Sequence, residues 1–321
     1  MSQTRMPVQT AAAVTFFYAL GYPIGNVAVG AMTPMAVLVF RFALAGLLLA
    51  TWAAISRVAW PRGRKLGHVA VTGLLMQALQ FCCLYLAIQR GAPAVLCAVV
   101  IAMNPVVTAV FGALFLRERL GPLRILALGF GVLAVLAACA SRLVHEHGVD
   151  PVFVLLLVAL LGLAGGGVYQ QRFCADVDFR TSVAVQNAVA LIPAAVLAGL
   201  TPFAVHDHLK AGLAVAAVVL LNAGVGVSLY VRAINWHGAA AVAMLFCLIP
   251  AVAGVLSWLL LGEHPDIGIG VGLVLGALAC WLNVRAAAKG SDSGEQRQHN
   301  PGGDRRGQDR VQAIHDSAVA G

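Results

Sequence analysis

Residues 94–116 read AVLCAVVIAMNPVVTAVFGALFL, and residues 239–261 read AAAVAMLFCLIPAVAGVLSWLLL. Each is an unbroken apolar run with one proline, Pro105 or Pro250, at the same interior place. A helix that crosses the hydrocarbon of a bilayer needs about 20 mostly apolar residues. Neither run shows the period-2 polarity of a barrel strand. Both therefore predict spanning helices, and each proline predicts a bend, because it removes an N–H and clashes with the carbonyl four residues back.

Working outward, runs of the same kind recur along the chain. Ten are expected, near 10–30, 34–56, 68–88, 94–116, 122–140, 152–171, 181–200, 211–231, 238–261 and 266–285. The composition agrees: of 321 residues, 60% are hydrophobic and 11% charged, where a soluble domain carries about 25% charged residues. A soluble enzyme and a disordered protein are excluded. The net charge of +8 does not mark a nucleic-acid binder, because the basic residues occupy short loops between apolar runs and the last stretch of chain. No nucleic-acid partner is expected; the lipid bilayer is the solvent. Arg5 precedes the apolar run that starts at Ala11 with no A-x-A-like site behind it, so no cleavable leader is expected.

The opening pair belongs to a longer repeat. A shift of 145 residues lays Leu84-Tyr85 on Leu229-Tyr230, Pro105 on Pro250, Leu116 on Leu261, Glu118 on Glu263 and Gly131 on Gly276, without a gap. About a quarter of positions over 84–136 are identical, and the weight rests on Tyr, Pro and Glu, which are scarce in apolar helices. Five spans per half is an odd number, so the second half is expected to enter the membrane inverted. This gives an all-α integral membrane fold: a first five-helix repeat over 1–140, a second, inverted one over 141–286, and a disordered cytoplasmic tail over 287–321 whose polar composition cannot support a core. Counting Lys and Arg by side assigns 17 to the side of the N-terminus and three to the other, with Arg41 inside a span. The positive-inside rule then puts both termini in the cytoplasm, in the inner or cytoplasmic membrane. The second copy carries Gly262, His264 and Ile269 where the first carries Arg117, Arg119 and Arg124, as inversion requires.

Chemistry-bearing motifs are few. No HExxH occurs, and His145-Glu146-His147 lacks the helical spacing of a zinc site. Gly226-Val227-Ser228-Leu229-Tyr230 lacks the second glycine of a nucleophile elbow. Gly165-Gly166-Gly167 reads as close helix packing. The seven cysteines form no CxxC and read as small packing residues. No enzyme, cofactor or metal is expected, and without a P-loop the chain cannot energise itself with ATP. Inverted repeats with proline-broken helices are instead the mark of secondary transporters, whose sites lie near mid-membrane at the repeat interface.

The chain resembles the drug/metabolite transporter superfamily, in particular the EamA type, over roughly residues 10–285. The resemblance is carried by Phe40-Arg41-Phe42-Ala43-Leu44-Ala45-Gly46, by Met103-Asn104-Pro105 followed by Leu116-Arg117-Glu118-Arg119-Leu120, and by the counterparts Leu248-Ile249-Pro250 and Leu261-Gly262-Glu263-His264. The second-span counterpart departs from the pattern, with Gln186 and Asn187 where the first half has Arg41 and Phe42. The resemblance implies ten helices in two five-helix domains. It further implies export of an amino acid, related metabolite or drug through a central cavity open alternately to either side. The alternative is a membrane-embedded ligand-binding or sensory protein that does not transport. Oligomeric state is not encoded in these patterns.

Candidate substrate-binding residues follow from polarity inside spans. Arg41 lies some seven residues into its helix, where a charge needs a partner, water or the interface. It either snorkels to the headgroups or lines an anion-attracting cavity. Gln77 and Gln80, at i and i+3, share a face, and Tyr85 lies about two turns on. The repeat shift places Asn222 on Gln77 and Tyr230 on Tyr85, an amide–tyrosine pair on symmetric helices, and these four are the leading candidates. Asn104 and Gln186 complete the set, with Pro105 and Pro250 as hinges. All 13 acidic residues fall in loops, helix ends or the tail. Proton-coupled carriers commonly use an intramembrane carboxylate, so a facilitator or exchanger is as well supported as a proton antiporter.

Overall fold

The computed structural model describes residues 6–92, 94–116 and 151–262, with isolated helical positions within 122–133 and 271–285. Most of the spans expected over 122–140 and 266–285, the tail over 287–321, and Glu118 and Glu263 lie outside the described residues. Among the described residues, eight helices are long and apolar enough to cross a membrane. They are α1 (Val8–Ala31), α2 (Pro34–Ile55), α3 (Arg64–Gln89), α4 (Ala94–Ile101 followed by Asn104–Leu116), α5 (Pro151–Phe173), α6 (Phe179–Leu200), α7 (His208–His237) and α8 (Ala239–Leu261). Leu47, Leu200 and Leu213 expose between 65% and 77% of their surface. An apolar exterior of this extent suits lipid, and the protein is a multi-pass membrane protein.

Packing follows the repeat. α2 lies along α6, its own counterpart. α4 likewise lies against its counterpart α8, and further contacts occur in matched pairs: α1 on α7 with α5 on α3, α1 on α8 with α5 on α4, and α2 on α7 with α6 on α3. Small residues set the approach distances, as they do wherever lipid tails are as apolar as the side chains. A Cβ on Gly73 would stand 2.7 Å from Gln186 Cα, and one on Gly162 would stand 2.8 Å from the Leu75 carbonyl oxygen. Gly166 lies against Met76 in the same way, so the triple-glycine run is packing surface.

Two features break the regularity of the helices, and both occur at repeat-matched places. α3 carries a π-helical turn over Leu74–Leu79, and α7 carries one over Val218–Val227. The leading amides, Gln77 and Asn222, lie in these turns. The second feature concerns the prolines, and here the structure differs from expectation. α4 is not one kinked helix but two segments separated at Ala102 and Met103. In α8, a 3-10 turn over Met244–Cys247 precedes the segment Ile249–Leu261. Pro105 and Pro250 each stand at the second position of the new segment, where a missing N–H is an orphan in any helix. The sequence alone could not tell a kink from an interruption, because proline is compatible with both.

The ends of the bundle are tied across the halves. The Thr33 N–H donates to the Ala204 carbonyl at 3.0 Å and the His206 N–H to the Ala31 carbonyl at 2.9 Å, joining the turn after α1 to the loop after α6. At the other end, Lys65 Nζ meets Asp176 Oδ1 at 2.5 Å and the Phe173 carbonyl at 3.3 Å, joining the start of α3 to the loop after α5. α7 passes to α8 through Gly238 alone, at φ 84°, a conformation open to glycine without strain.

Candidate functional site

The site begins on α1. Tyr18 and Tyr22, one turn apart, both face inward and are buried. Beside them on the helix, Gly21 and Gly25 leave room for side chains from other helices. A Cβ on Gly21 would overlap the Asn222 amide, and one on Gly25 would stand 3.1 Å from Tyr85 Oη. Arg41 enters from α2. It does not snorkel: it is fully buried, donating from Nη2 to Asn222 Oδ1 at 3.2 Å. Its guanidinium carbon sits 3.4 Å from the centroid of the Phe81 ring, within cation–π range. Asn222 Nδ2 donates in turn to the Phe17 carbonyl at 3.4 Å. The Arg41–Asn222 bond joins the second helix of one half to the third helix of the other.

A second group of side chains continues from this pair. Gln80 Nε2 donates to the Tyr18 hydroxyl at 2.8 Å. Tyr18, Tyr230 and Phe246 stand edge to face, with centroids 4.9 to 5.6 Å apart. Tyr230 faces the Asn104 side chain, which opens the second segment of α4 and accepts from Thr108 Oγ1 at 3.1 Å. The carbonyl of Met103 accepts from the N–H groups of Val106 and Val107, so these amides are satisfied within the break itself. Side chains from α1, α2, α3, α4, α7 and α8 therefore converge on one buried polar and aromatic cluster.

Of the sequence-predicted residues, the structure brings Arg41, Gln80, Tyr85, Asn104, Asn222 and Tyr230 to this cluster. Gln77 is buried in the π turn, and among the described residues its Oε1 meets no hydrogen-bond partner. Gln186 belongs to a different network, donating to Gln170 Oε1 at 3.2 Å and Ser182 Oγ at 3.0 Å. Gln170 passes that network to Asn235 at 2.9 Å, and Asn235 passes it to the Val177 carbonyl. These residues join α5, α6 and α7 toward the Lys65–Asp176 end. Pro105 and Pro250 are both buried beside the cluster's helix breaks. Tyr18, Tyr22, Phe81 and Phe246 were not among the sequence candidates. Tyr18 and Tyr22 have no repeat partners, and only their spacing one turn apart marks them. Phe81 and Phe246 are indistinguishable from ordinary core in the sequence.

Nearer the Lys65–Asp176 end, His68 Nδ1 lies 2.8 Å from Tyr169 Oη, and the imidazole stacks on Phe173 at 4.7 Å. Asp178 caps α6, accepting from the Arg180 N–H at 2.9 Å and pairing with its guanidinium at 3.0 Å. That hydrogen bond holds the Asp178 carboxyl below the usual carboxylate range, and the Lys65 ammonium does the same for Asp176.

Repeated apolar helices around a buried polar cluster define a multi-pass membrane protein with a polar interior. The chain belongs to the EamA-like transporter family, whose model matches it twice, over residues 6–139 and 151–285. No curated protein matches it. A solved crystal structure shares the fold with a TM-score of 0.64 at 15% identity, covering 88% of this chain and 98% of that one. Likeness at that identity concerns the fold alone.

Proposed function

We propose that the protein is a secondary transporter that carries a small metabolite or drug outward across the cytoplasmic membrane by alternating access. The two halves are inverted relative to each other and rock about the cluster around Arg41, Asn222, Tyr85 and Tyr230. Support for the inversion comes from the loop pairings: the turn after α1 meets the loop after α6, whereas an upright second copy would offer the loop after α5. The end that carries Lys65, Arg172 and Arg180 is the cytoplasmic one by the positive-inside rule, with both termini on that side.

The observation that carries the reading is the pair of interrupted helices, α4 and α8, broken at repeat-matched prolines beside buried polar groups. Irregular backbone at membrane depth is tolerated where protein or a water-filled cavity surrounds it, and it recurs in transporters at the substrate site. Pro105 and Pro250 then act as hinges, since each proline lacks the N–H that would tie its turn into the helical ladder beside the break.

Metabolite profiles of medium from cells with and without the protein should differ in a small set of compounds. Reconstituted liposomes should show saturable counterflow of one of them. Binding of such a compound without flux in liposomes would assign the protein to ligand sensing instead.

A further inference from the structure

Among the described residues Arg41 has no carboxylate to balance it. The acidic residues among those described are Asp176, Asp178 and Asp207, all outside the spanning helices. Of its five N–H donors, one bonds Asn222, while Nε and Nη1, which carry three, meet no acceptor among the described residues. An isolated buried charge is strongly disfavoured unless paired. The ring of Phe81 offsets part of that penalty from one face of the guanidinium and leaves its edge unanswered.

The polar atoms around it divide by type. The Arg41 charge lies near the phenols of Tyr18 and Tyr85, and Gln80, which bonds Tyr18, keeps its Oε1 buried with no hydrogen-bond partner among the described residues. The neighbourhood thus combines one fixed cation, neutral amides and phenols, and aromatic rings. Among the described residues it has no fixed anion to receive an ammonium group. Among the described residues it has no second cation either: Arg172, Arg180 and Lys65 belong to the opposite, Asp176 end of the bundle. A dianionic phosphate would remain half neutralised, whereas a single carboxylate matches the guanidinium in charge and in planar geometry.

We infer that the transported substrate carries a carboxylate and that this group pairs with Arg41 across Nε and Nη, with the remainder of the substrate against Tyr18, Tyr85 and the neighbouring amides. This rests on the transporter reading above and deepens it. An amino acid and a simple organic acid share the chemistry. They differ in the α-ammonium, which only neutral oxygens and ring faces can meet here.

Asn222→Asp supplies the internal test. The change is isosteric and sets a carboxylate 3.2 Å from Arg41 Nη2, so the protein supplies its own counter-ion. The purified full chain in nanodiscs is compared with this variant and with Arg41→Lys by thermal shift. The probes are two matched sets, built on isobutyl and benzyl bodies, each as the amino acid, the desamino carboxylate, the amide and the amine. In the wild type, a carboxylate-bearing member should bind at least about tenfold more tightly than its amide. Whether the amino acid or the desamino acid leads distinguishes the two sources. Asn222→Asp should melt higher than wild type without ligand and lose at least about tenfold in carboxylate affinity. Arg41→Lys should retain weakened carboxylate binding.

Two results overturn the inference: no carboxylate exceeding its amide in either set, or Asn222→Asp binding carboxylates as wild type does. Flux is scored separately in liposomes. Saturable flux of the amides with none of the acids refutes the carboxylate but keeps the transporter, whereas carboxylate binding without flux refutes the transporter and keeps the site.

Discussion

Gly21→Ala tests whether the Arg41–Asn222 bond is the element that holds the two halves in register. The three atoms nearest to a Cβ at Gly21 all belong to the Asn222 side chain, the closest being Nδ2. The amide can escape only by turning, which takes Oδ1 away from Arg41 Nη2 and Nδ2 away from the Phe17 carbonyl. A hydrogen bond to a charged group contributes about 1.5–3 kcal/mol. Against this, replacing a mid-helix glycine by alanine gains roughly 0.5–1 kcal/mol. The loss wins, and the net effect is a destabilisation of about 0.5–2.5 kcal/mol. In an Asn222→Ala background the overlap is gone and only the helix gain remains, so the same substitution should stabilise by roughly 0.5–1 kcal/mol. The sign therefore reverses. Thermal unfolding of the four proteins in nanodiscs, followed by circular dichroism, reads the cycle directly. Equal effects of Gly21→Ala in both backgrounds would refute the coupling and with it the structural weight given to Asn222.

Five further outcomes are expected. Gly73→Ala should lower the melting temperature and the yield, since its Cβ meets Gln186 backbone that cannot turn aside; about 1–3 kcal/mol is at stake. Gly67→Ala, with nothing within 4 Å, should be neutral or mildly stabilising in the same assay. Asp178→Ala should lose about 1 kcal/mol of helix capping, measured by denaturation in detergent. The carboxyls of Asp176 and Asp178 are held low by Lys65 and Arg180, so their contribution is complete above the unfolded value near pH ~4 and is lost as pH falls through the depressed folded values. The melting temperature of an Asp176→Asn, Asp178→Asn double variant should accordingly vary less with acidification than that of wild type. Tyr85→Phe, Tyr230→Phe, Gln77→Leu and Asn222→Leu should each reduce export by about tenfold for a lost hydrogen bond of about 1.4 kcal/mol, with membrane abundance near normal for the first three and lowered for Asn222→Leu, which also leaves Arg41 without its bond. Export unchanged in all four would move the site elsewhere.

The sequence placed the eight described spans closely because its signal is additive. A run of about 20 apolar residues determines a helix in lipid whatever its neighbours do. The repeat was legible for a related reason, since Tyr85 and Tyr230, and Pro105 and Pro250, are scarce types in apolar helices and keep register at a constant shift. That register also put Gln77 and Asn222 at matching positions, and the structure finds a π turn at each. Gln186, chosen for burial and polarity alone, bonds Gln170 and Ser182 in another layer. Burial in a helix says nothing about which neighbour a side chain meets.

What the amino-acid string determined by itself was therefore the solvent, the helices, the repeat and the family, all of which follow from local composition and recurrence. What only the tertiary structure decided was direction and partnership. Arg41 turns inward onto Phe81 and Asn222 rather than outward to headgroups, and Tyr18 and Phe246 join a cluster to which no spacing assigned them. Those choices depend on residues 41, 81 and 222 meeting across three helices, and on Gly21 leaving the space in which they meet. The physical reason is that a guanidinium in hydrocarbon takes whichever partner the packing brings within reach, and reach is a property of the assembled helices.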